Sequence, residues 1–373
     1  MKAPARVFVS AGEPSGDAHA ASVVRALLRR RPDTLVEAFG GPLLRSAGAT
    51  VRFPMEPYTV LGLFEALGKI PAHLRLLRTL RGDFAAGRYD LVLLVDYPGF
   101  NLRLAESAHR AGLRTLYYVA PQLWAWRPGR ARRLARAVDR LAVVLPFEAD
   151  FFRRHGVPCE FVGHPLAERD WPSRDMARRE LGLPAEERIV AMFPGSRQQE
   201  IERLWPDFRD AGQALVRERA CDRVLVAGRE AAVYPGVEVA GLTLVTGRAD
   251  SVLATADAAV VKSGTTTLEA ACTGTPMVVA YRVHPIWAML VRRMVTVRWF
   301  SLVNLVAGEP VVPELIQRQV SARRLVEAVR PLLEPTSCAA NTQREALARV
   351  RRRLGPPGAA ERVAGMVEEL LAA

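Results

Sequence analysis

Cysteine is scarce in this sequence: Cys159, Cys221, Cys272 and Cys338 lie far apart, with no C-x-x-C pair and no histidines at zinc-binding spacing. That excludes a disulfide framework or a zinc module and predicts free thiols in a reducing cytosol. Long apolar runs are absent as well. None reaches the roughly 18 residues that a membrane-spanning helix needs. The N-terminus passes from a short apolar stretch into Gly12, Glu13 and Asp17, without the apolar core and cleavage site of a signal peptide. The expectation is a cytoplasmic protein that meets any membrane from the cytosolic side without crossing it. No Walker A loop or G-x-G-x-x-G fingerprint follows the first apolar strand, and no Asp-x-Asp pair offers to hold a divalent ion. Neither a metal nor a cofactor is expected. Acidic residues are outnumbered, 39 against 52 basic ones, for a net charge of +13 that is nearly all arginine. Such a surface favours anions, whether phosphates, nucleotides, nucleic acid or an acidic membrane face. Charge alone does not choose among them. The lack of aromatics interleaved on a basic face, and of any nucleic-acid-binding module, argues against nucleic acid.

What is present fits a globular chain of two domains. The 373 residues are too many for one ordinary core, and half are hydrophobic. Short apolar runs alternate with longer amphipathic segments: Arg6 to Ser10, Leu35 to Phe39, Leu91 to Val95, Arg114 to Val119 and Arg140 to Leu145. The rhythm restarts at Ile189 to Phe193 and continues through Arg223 to Ala227, Leu242 to Val245, Ala258 to Val261 and Met277 to Tyr281. Strands alternating with helices predict parallel, doubly wound α/β sheets, one per lobe. The expected boundaries are 1–165, 166–340 and 341–373, with the seam near Gly163-His164-Pro165. The last segment reads as helices that return to the first lobe. Ligands of such sheets bind outside the carboxyl ends of the strands, so the loops that follow the strands, facing a cleft between the lobes, are where chemistry is sought.

Four of those loops carry reactive or anion-binding residue types. Ala11-Gly12-Glu13-Pro14-Ser15-Gly16-Asp17 is a small-residue turn into a helix, and its two acids suit a polyhydroxy ligand; a plain strand-to-helix turn explains it equally well. Asp96 ends the run Leu91 to Val95, where a carboxylate serves either as a general base for a hydroxyl or as a helix cap. Phe193-Pro194-Gly195-Ser196-Arg197, followed by Glu200, is a tight turn with an arginine at a helix start, an anion site in kind. Lys262-Ser263-Gly264-Thr265-Thr266-Thr267 repeats that logic. Glu269, one turn on, is placed to bind vicinal ribose hydroxyls or to complete a capping box with Thr266. Two anion turns in one lobe fit a diphosphate better than a single phosphate.

The ordered strings Ala11 to Asp17, Tyr118-Val119-Ala120-Pro121-Gln122-Leu123-Trp124-Ala125-Trp126-Arg127, Leu145-Pro146-Phe147-Glu148, Phe161-Val162-Gly163-His164-Pro165, Pro194 to Arg197 and Lys262 to Thr265 resemble the motif series of the lipid-A-disaccharide synthases. The tryptophan-rich string is the most specific of them. The resemblance implies a GT-B glycosyltransferase fold of two Rossmann-like lobes. It also implies an inverting transfer of diacylglucosamine from its UDP-activated form to diacylglucosamine 1-phosphate, giving a β-1,6-linked disaccharide and UDP. It makes Asp96 the candidate base, with Glu13 nearby. Gly195, Ser196, Arg197, Ser263, Gly264, Thr265, Thr266, Glu269 and Asn304 are then expected at the UDP site, and Ser15, Gly16, Asp17, Gln122, Trp124, Trp126 and His164 at the acceptor or cleft. Val303 stands where the family usually has proline, and Ala20 where glycine is common. The alternatives of the same fold are a UDP-N-acetylglucosamine 2-epimerase and a peptidoglycan-precursor glucosaminyltransferase, neither of which accounts for the tryptophan-rich string.

Acylated substrates imply contact with the cytoplasmic face of the inner membrane. Residues 60 to 80 mix apolar and basic side chains as an interfacial helix does, with Leu63, Phe64, Leu67 and Ile70 as expected membrane contacts. Ile286 to Arg293 is a second such stretch, and an ordinary core-facing helix explains the first as well and the second better. The arginines from Arg127 to Arg140, at near-helical spacing, fit a solvated face. The resemblance also allows a homodimer through the last helix.

Overall fold

The computed structural model describes residues 4–58, 63–126, 128–284, 297–334 and 337–373, with backbone only for 63–67 and 126. Every strand pair among them is parallel. The first sheet contains β1 (Arg6–Ser10), β2 (Leu35–Gly40), β3 (Thr50–Pro54), β4 (Leu91–Val95), β5 (Arg114–Tyr118), β6 (Arg140–Val143) and β7 (Cys159–Phe161), in the order β3-β2-β1-β4-β5-β6-β7. The second contains β8 (Ile189–Phe193), β9 (Arg223–Gly228), β10 (Leu242–Thr246), β11 (Ala258–Lys262), β12 (Met277–Tyr281) and β13 (Glu314–Ile316), ordered β10-β9-β8-β11-β12-β13. Counted from its own first strand, each sheet follows the Rossmann order 3-2-1-4-5-6. The expected pair of doubly wound α/β lobes is what the chain forms.

The strands are continuous apolar runs because both of their faces are covered; all five residues of β4 and of β8 are buried. On one face of the first sheet, Phe8, Phe39, Val92, Leu94 and Tyr117 pack against Leu76, Leu77 and Leu80 of the helix Leu63–Ala85 and Phe100 and Leu104 of the helix Pro98–Arg110. The helix Pro14–Arg30 packs with the final helix Ala359–Ala372, which also meets β4 and β5. In the second sheet, Val190, Met192, Val224 and Val260 pack with Ile201, Leu204, Trp205 and Phe208 of the helix Gln198–Arg217.

Contacts divide the chain into one unit formed by the residues through Glu168 together with Gly355–Ala373, and a second formed by Arg169–Leu354. The terminal segment expected at 341–373 is therefore split. The helix Cys338–Arg353 packs within the second unit, against the helix Thr266–Thr273, and only Ala359–Ala372 joins the first. The crossing depends on Gly355, whose φ is +86°; a Cβ there would lie 3.1 Å from the Gly163 Cα and from the Phe161 ring. Glu168 then accepts the N–H of Gly358 at 2.9 Å and starts the last helix.

Both sheets change winding direction beside their first strand, between β1 and β4 and between β8 and β11. The loops that leave those four strands are the ones the sequence singled out. No helix among the described residues is long and apolar enough to cross a membrane.

Ending the chain after Leu354 should strip amide-exchange protection from the helix Pro14–Arg30 while β8 and β11 keep theirs. Unchanged protection in both would show that the last helix adds nothing to the first unit.

Candidate active site

At the first switch point the backbone is bent into conformations that side chains disfavour. Asp96 and Tyr97, directly after β4, have φ of +48° and +50°, and Val119, after β5, has +60°. Left-handed backbone costs a non-glycine residue about 1–2 kcal/mol, so the neighbours must hold it. The Asp96 N–H donates to the Tyr118 carbonyl at 3.0 Å, while its own carbonyl accepts the Tyr117 hydroxyl at 2.6 Å and the Asn101 amide at 2.8 Å. Asn101 is fully buried and also donates to the carbonyls of Val95 and Ser10.

The Asp96 carboxyl is thus fixed at a strand end. Burial pushes it up to about 6, helped by the negative charge of Glu13 and opposed by the Tyr97 N–H. It is not the cap of the following helix, whose N-cap residue is Tyr97; of the two readings left open by position, the cap falls away. Glu13 is itself an N-cap by backbone, yet its side chain makes no capping bond. Tyr97 lays its ring over Gly12, where a Cβ would come within 2.4 Å of it, so glycine is required there. Burial, with the Glu13 charge, pushes the Tyr97 hydroxyl up to about 12.

Several residues expected at the acceptor side have other duties. Asp17 is buried, and its two oxygens accept the N–H groups of Gly41 at 2.8 Å, Leu43 at 2.9 Å and Leu44 at 3.3 Å. It anchors the turn after β2 from a buried position. Gly16 is buried under the Val95 carbonyl, whereas Ser15 is exposed. Trp124 is buried, donates its indole N–H to Glu148 at 2.9 Å and stands edge-on to Phe147, so it belongs to the core of its corner rather than to a site wall. Gln122 is exposed. The Trp126 side chain lies outside the described residues. His164 accepts the Leu166 N–H at 3.1 Å through Nδ1; burial, with His19 beside it, pulls it down to about 4, leaving a neutral ring with a donor at Nε2. His19, lowered by burial too, meets Tyr118 edge-on. The sequence reading passed over His19, although it follows Ser15 by one helical turn.

In the second unit the two anion turns differ. The first is closed by its own carboxylate: Glu200 accepts the N–H of Ser196 at 3.1 Å and of Arg197 at 3.4 Å, and Lys262 Nζ at 2.9 Å. Burial acts to raise this carboxyl, but Lys262, the Ser196 amide and Arg197 outweigh it and hold it below the usual range. Gly195, at φ +139°, has Glu200 so close that a Cβ would fall 2.7 Å from its Cβ. The expected free N–H groups of Ser196 and Arg197 are therefore engaged, while the Arg197 guanidinium is 74% exposed and lies 4.0 Å from the Glu200 carboxylate.

The second turn is open. The N–H groups of Gly264, Thr265 and Thr266 take up no hydrogen bond among the described residues, and they start the helix Thr266–Thr273. Partial positive charge at a helix start suits a phosphate. The Ser263 hydroxyl is tied to the Phe300 carbonyl at 2.7 Å. Glu269 is half-buried; burial raises its carboxyl, while Arg169 at 3.9 Å and the Thr266 hydroxyl act to lower it. Asn304 is fully buried, donates to the Val312 carbonyl and Glu314, and accepts the Val312 N–H. It braces the 300–314 segment from the interior. Val303, in the first turn of its helix, is buried and leaves Asn304 in this network. Among the described residues no three His, Cys, Asp or Glu side chains gather as a metal site.

The side chains of Leu63, Phe64 and Leu67 and the stretch 286–293 lie outside the described residues. Ile70 is exposed, and so is Leu74 one turn further on.

The profile of the lipid-A-disaccharide synthetase family matches residues 7–356. The chain belongs to this family. A lipid-A-disaccharide synthase of Geobacter sulfurreducens is 42% identical over 98% of this chain and 97% of its own. A solved structure of the glycotransferase of kitacinnamycin shares the fold at a TM-score of 0.64, with 18% identity and coverage of 98% of this chain and 99% of that one. So does the UDP-GlcNAc 2-epimerase of Neisseria meningitidis bound to UDP-GlcNAc, at a TM-score of 0.66, 10% identity and coverage of 98% and 100%. At such identities the structures speak for fold alone; sequence places the chain among the lipid-A-disaccharide synthases.

The Trp124–Glu148 corner gives a pH test. Burial pushes the Glu148 carboxyl from 4.5 up to about 7 against the donors Trp124, Leu145 and Val144. A carboxyl that keeps its proton longer when folded adds stability below pH 4.5 and loses it as pH rises through about 7. Denaturant unfolding should therefore show stability falling across that window in the wild type and a flatter profile in Glu148→Gln.

Proposed function

We propose that the chain is a lipid-A-disaccharide synthase that transfers 2,3-diacylglucosamine from UDP to 2,3-diacylglucosamine 1-phosphate, forming the β-1,6 linkage with inversion. The observation that carries this reading, within the family, is Asp96: a carboxylate fixed at the carboxyl end of β4, uncommitted to capping and raised to about 6. A base near neutrality takes the proton of the acceptor 6-hydroxyl as that oxygen attacks the anomeric carbon. The bond to UDP breaks as the new one forms, so one displacement inverts the centre.

Negative charge grows on the departing diphosphate. The open N–H groups of Gly264, Thr265 and Thr266 and the exposed Arg197 guanidinium supply positive charge for it in place, which supports electrostatic stabilisation of the leaving group. Glu269 remains the candidate for the ribose hydroxyls. No step in this scheme calls for a metal. The exposed Ile70 and Leu74, on a helix that also carries Arg75 and Arg78, support docking on an anionic bilayer at the cytoplasmic face of the inner membrane.

UDP release measured with and without the acceptor tests the reaction. Release should require the acceptor and fall by about 100-fold or more in folded Asp96→Asn; no release by the wild type would move the chain to the other UDP-sugar enzymes. Because Asp96 works ionised, kcat/KM should decline below about pH 6 and level off above it. The rate should survive excess chelator, and loss that magnesium restores would contradict a metal-free mechanism. Replacing Ile70 and Leu74 together with serine should weaken co-sedimentation with anionic vesicles; unchanged binding would remove this face from membrane contact.

A further inference from the structure

Asp96 and Tyr97 form one strained turn, but they are held from different directions. The Asp96 backbone is gripped by Asn101, Tyr117 and Tyr118. Tyr97 is gripped through its side chain, with the ring over Gly12 and the hydroxyl 2.6 Å from His73 Nε2. His73 belongs to the helix Leu63–Ala85, and its Nδ1 lies 2.8 Å from the Lys69 carbonyl one turn back. A carbonyl only accepts, so Nδ1 carries the proton; in that tautomer Nε2 is the acceptor and the Tyr97 hydroxyl donates to it. The Tyr58 carbonyl, at 3.4 Å from that hydroxyl, is the weaker alternative. The imidazole is itself fixed by Tyr58 at 5.2 Å and Phe100 at 5.8 Å between ring centres.

We propose that His73 is a positioning residue: through the Tyr97 hydroxyl it holds the Asp96–Tyr97 turn in the conformation needed for turnover. The proposal rests on reading Asp96 as the base. Its consequence reaches further than one hydrogen bond, because the helix that carries His73 also presents Ile70 and Leu74 outward. A shift of that helix along its axis would move Nε2 and let the strained turn relax. The helix face and the base are thus mechanically linked within the first unit.

The test separates this role from plain aromatic packing. Tyr97→Phe keeps the ring and removes only the hydroxyl; His73→Ala removes the acceptor; His73→Gln can restore an acceptor oxygen near the Nε2 position. With folding checked by thermal unfolding, Tyr97→Phe and His73→Ala should each lower kcat about tenfold or more while KM for donor and acceptor stays within about twofold, as expected of a displaced reacting group. The double variant should be no slower than the slower single one. His73→Gln should recover much of the rate when Tyr97 is present and none in the Tyr97→Phe background. If both single variants keep kcat within about twofold, or if their losses multiply, the proposal is overturned while Asp96 as base stands. If Asp96→Asn turns over at the wild-type rate, the base reading falls, and the positioning role falls with it.

Discussion

The first unit is organised around the Asn101 side-chain amide. Its nitrogen donates to the carbonyls of Ser10, Val95 and Asp96, and its oxygen accepts the Ser10 hydroxyl at 2.6 Å. One buried side chain thereby stitches the carboxyl ends of β1 and β4 together where their connections diverge. In a dry interior each of those groups would be costly to leave unpaired, so the residue that joins the strands also dictates the path of the chain after β4. That path is the left-handed turn on which Asp96 sits. The charge state of Asp96 follows from the same arrangement, since a carboxylate held rigidly in a half-buried corner beside Glu13 cannot move out to water to ease its ionisation.

The same residue types do opposite work according to what surrounds them. Asp17 and Asp96 both follow apolar strands of one sheet. Asp17 is wrapped by three backbone N–H groups and serves the fold, whereas Asp96 has one amide and a negative neighbour and remains chemically available. In the second unit, two turns built from glycine, hydroxyls and a helix start diverge in the same way. Glu200 fills one with the protein's own carboxylate; the other leaves its N–H groups without a hydrogen bond among the described residues. Net charge and motif spelling do not distinguish such cases, because the distinction is made by which carboxylate reaches which amide.

That explains what was legible in the sequence. Alternation of apolar runs with amphipathic segments made both doubly wound sheets and their strand ends readable, because strands covered on both faces must be apolar throughout. The position of Asp96 followed from the length of the run before it. Asp17, Trp124 and Asn304 were read as site residues because their motifs are distinctive, yet each of them bonds to groups that approach from elsewhere in the chain, such as the turn at Gly41, Glu148 and Glu314. Those pairings depend on tertiary approach and leave no local periodicity. His73 and Tyr97, 24 residues apart, were invisible for the same reason, and the split of the last two helices between the units hangs on two positive-φ glycines, Gly355 and Gly358.

The crossing at Gly355 also bears on the order in which the protein is made. The helix Ala359–Ala372 covers Pro14–Arg30 with Val363, Met366, Val367 and Leu370 buried. On the ribosome the first unit's own strands emerge early, while its last helix emerges only after every residue of the second unit. Domains tend to fold as they emerge, so here the second can finish first. Until then the helix Pro14–Arg30 lacks its covering partner, and the nascent chain carries an apolar seam that Ala359–Ala372 closes.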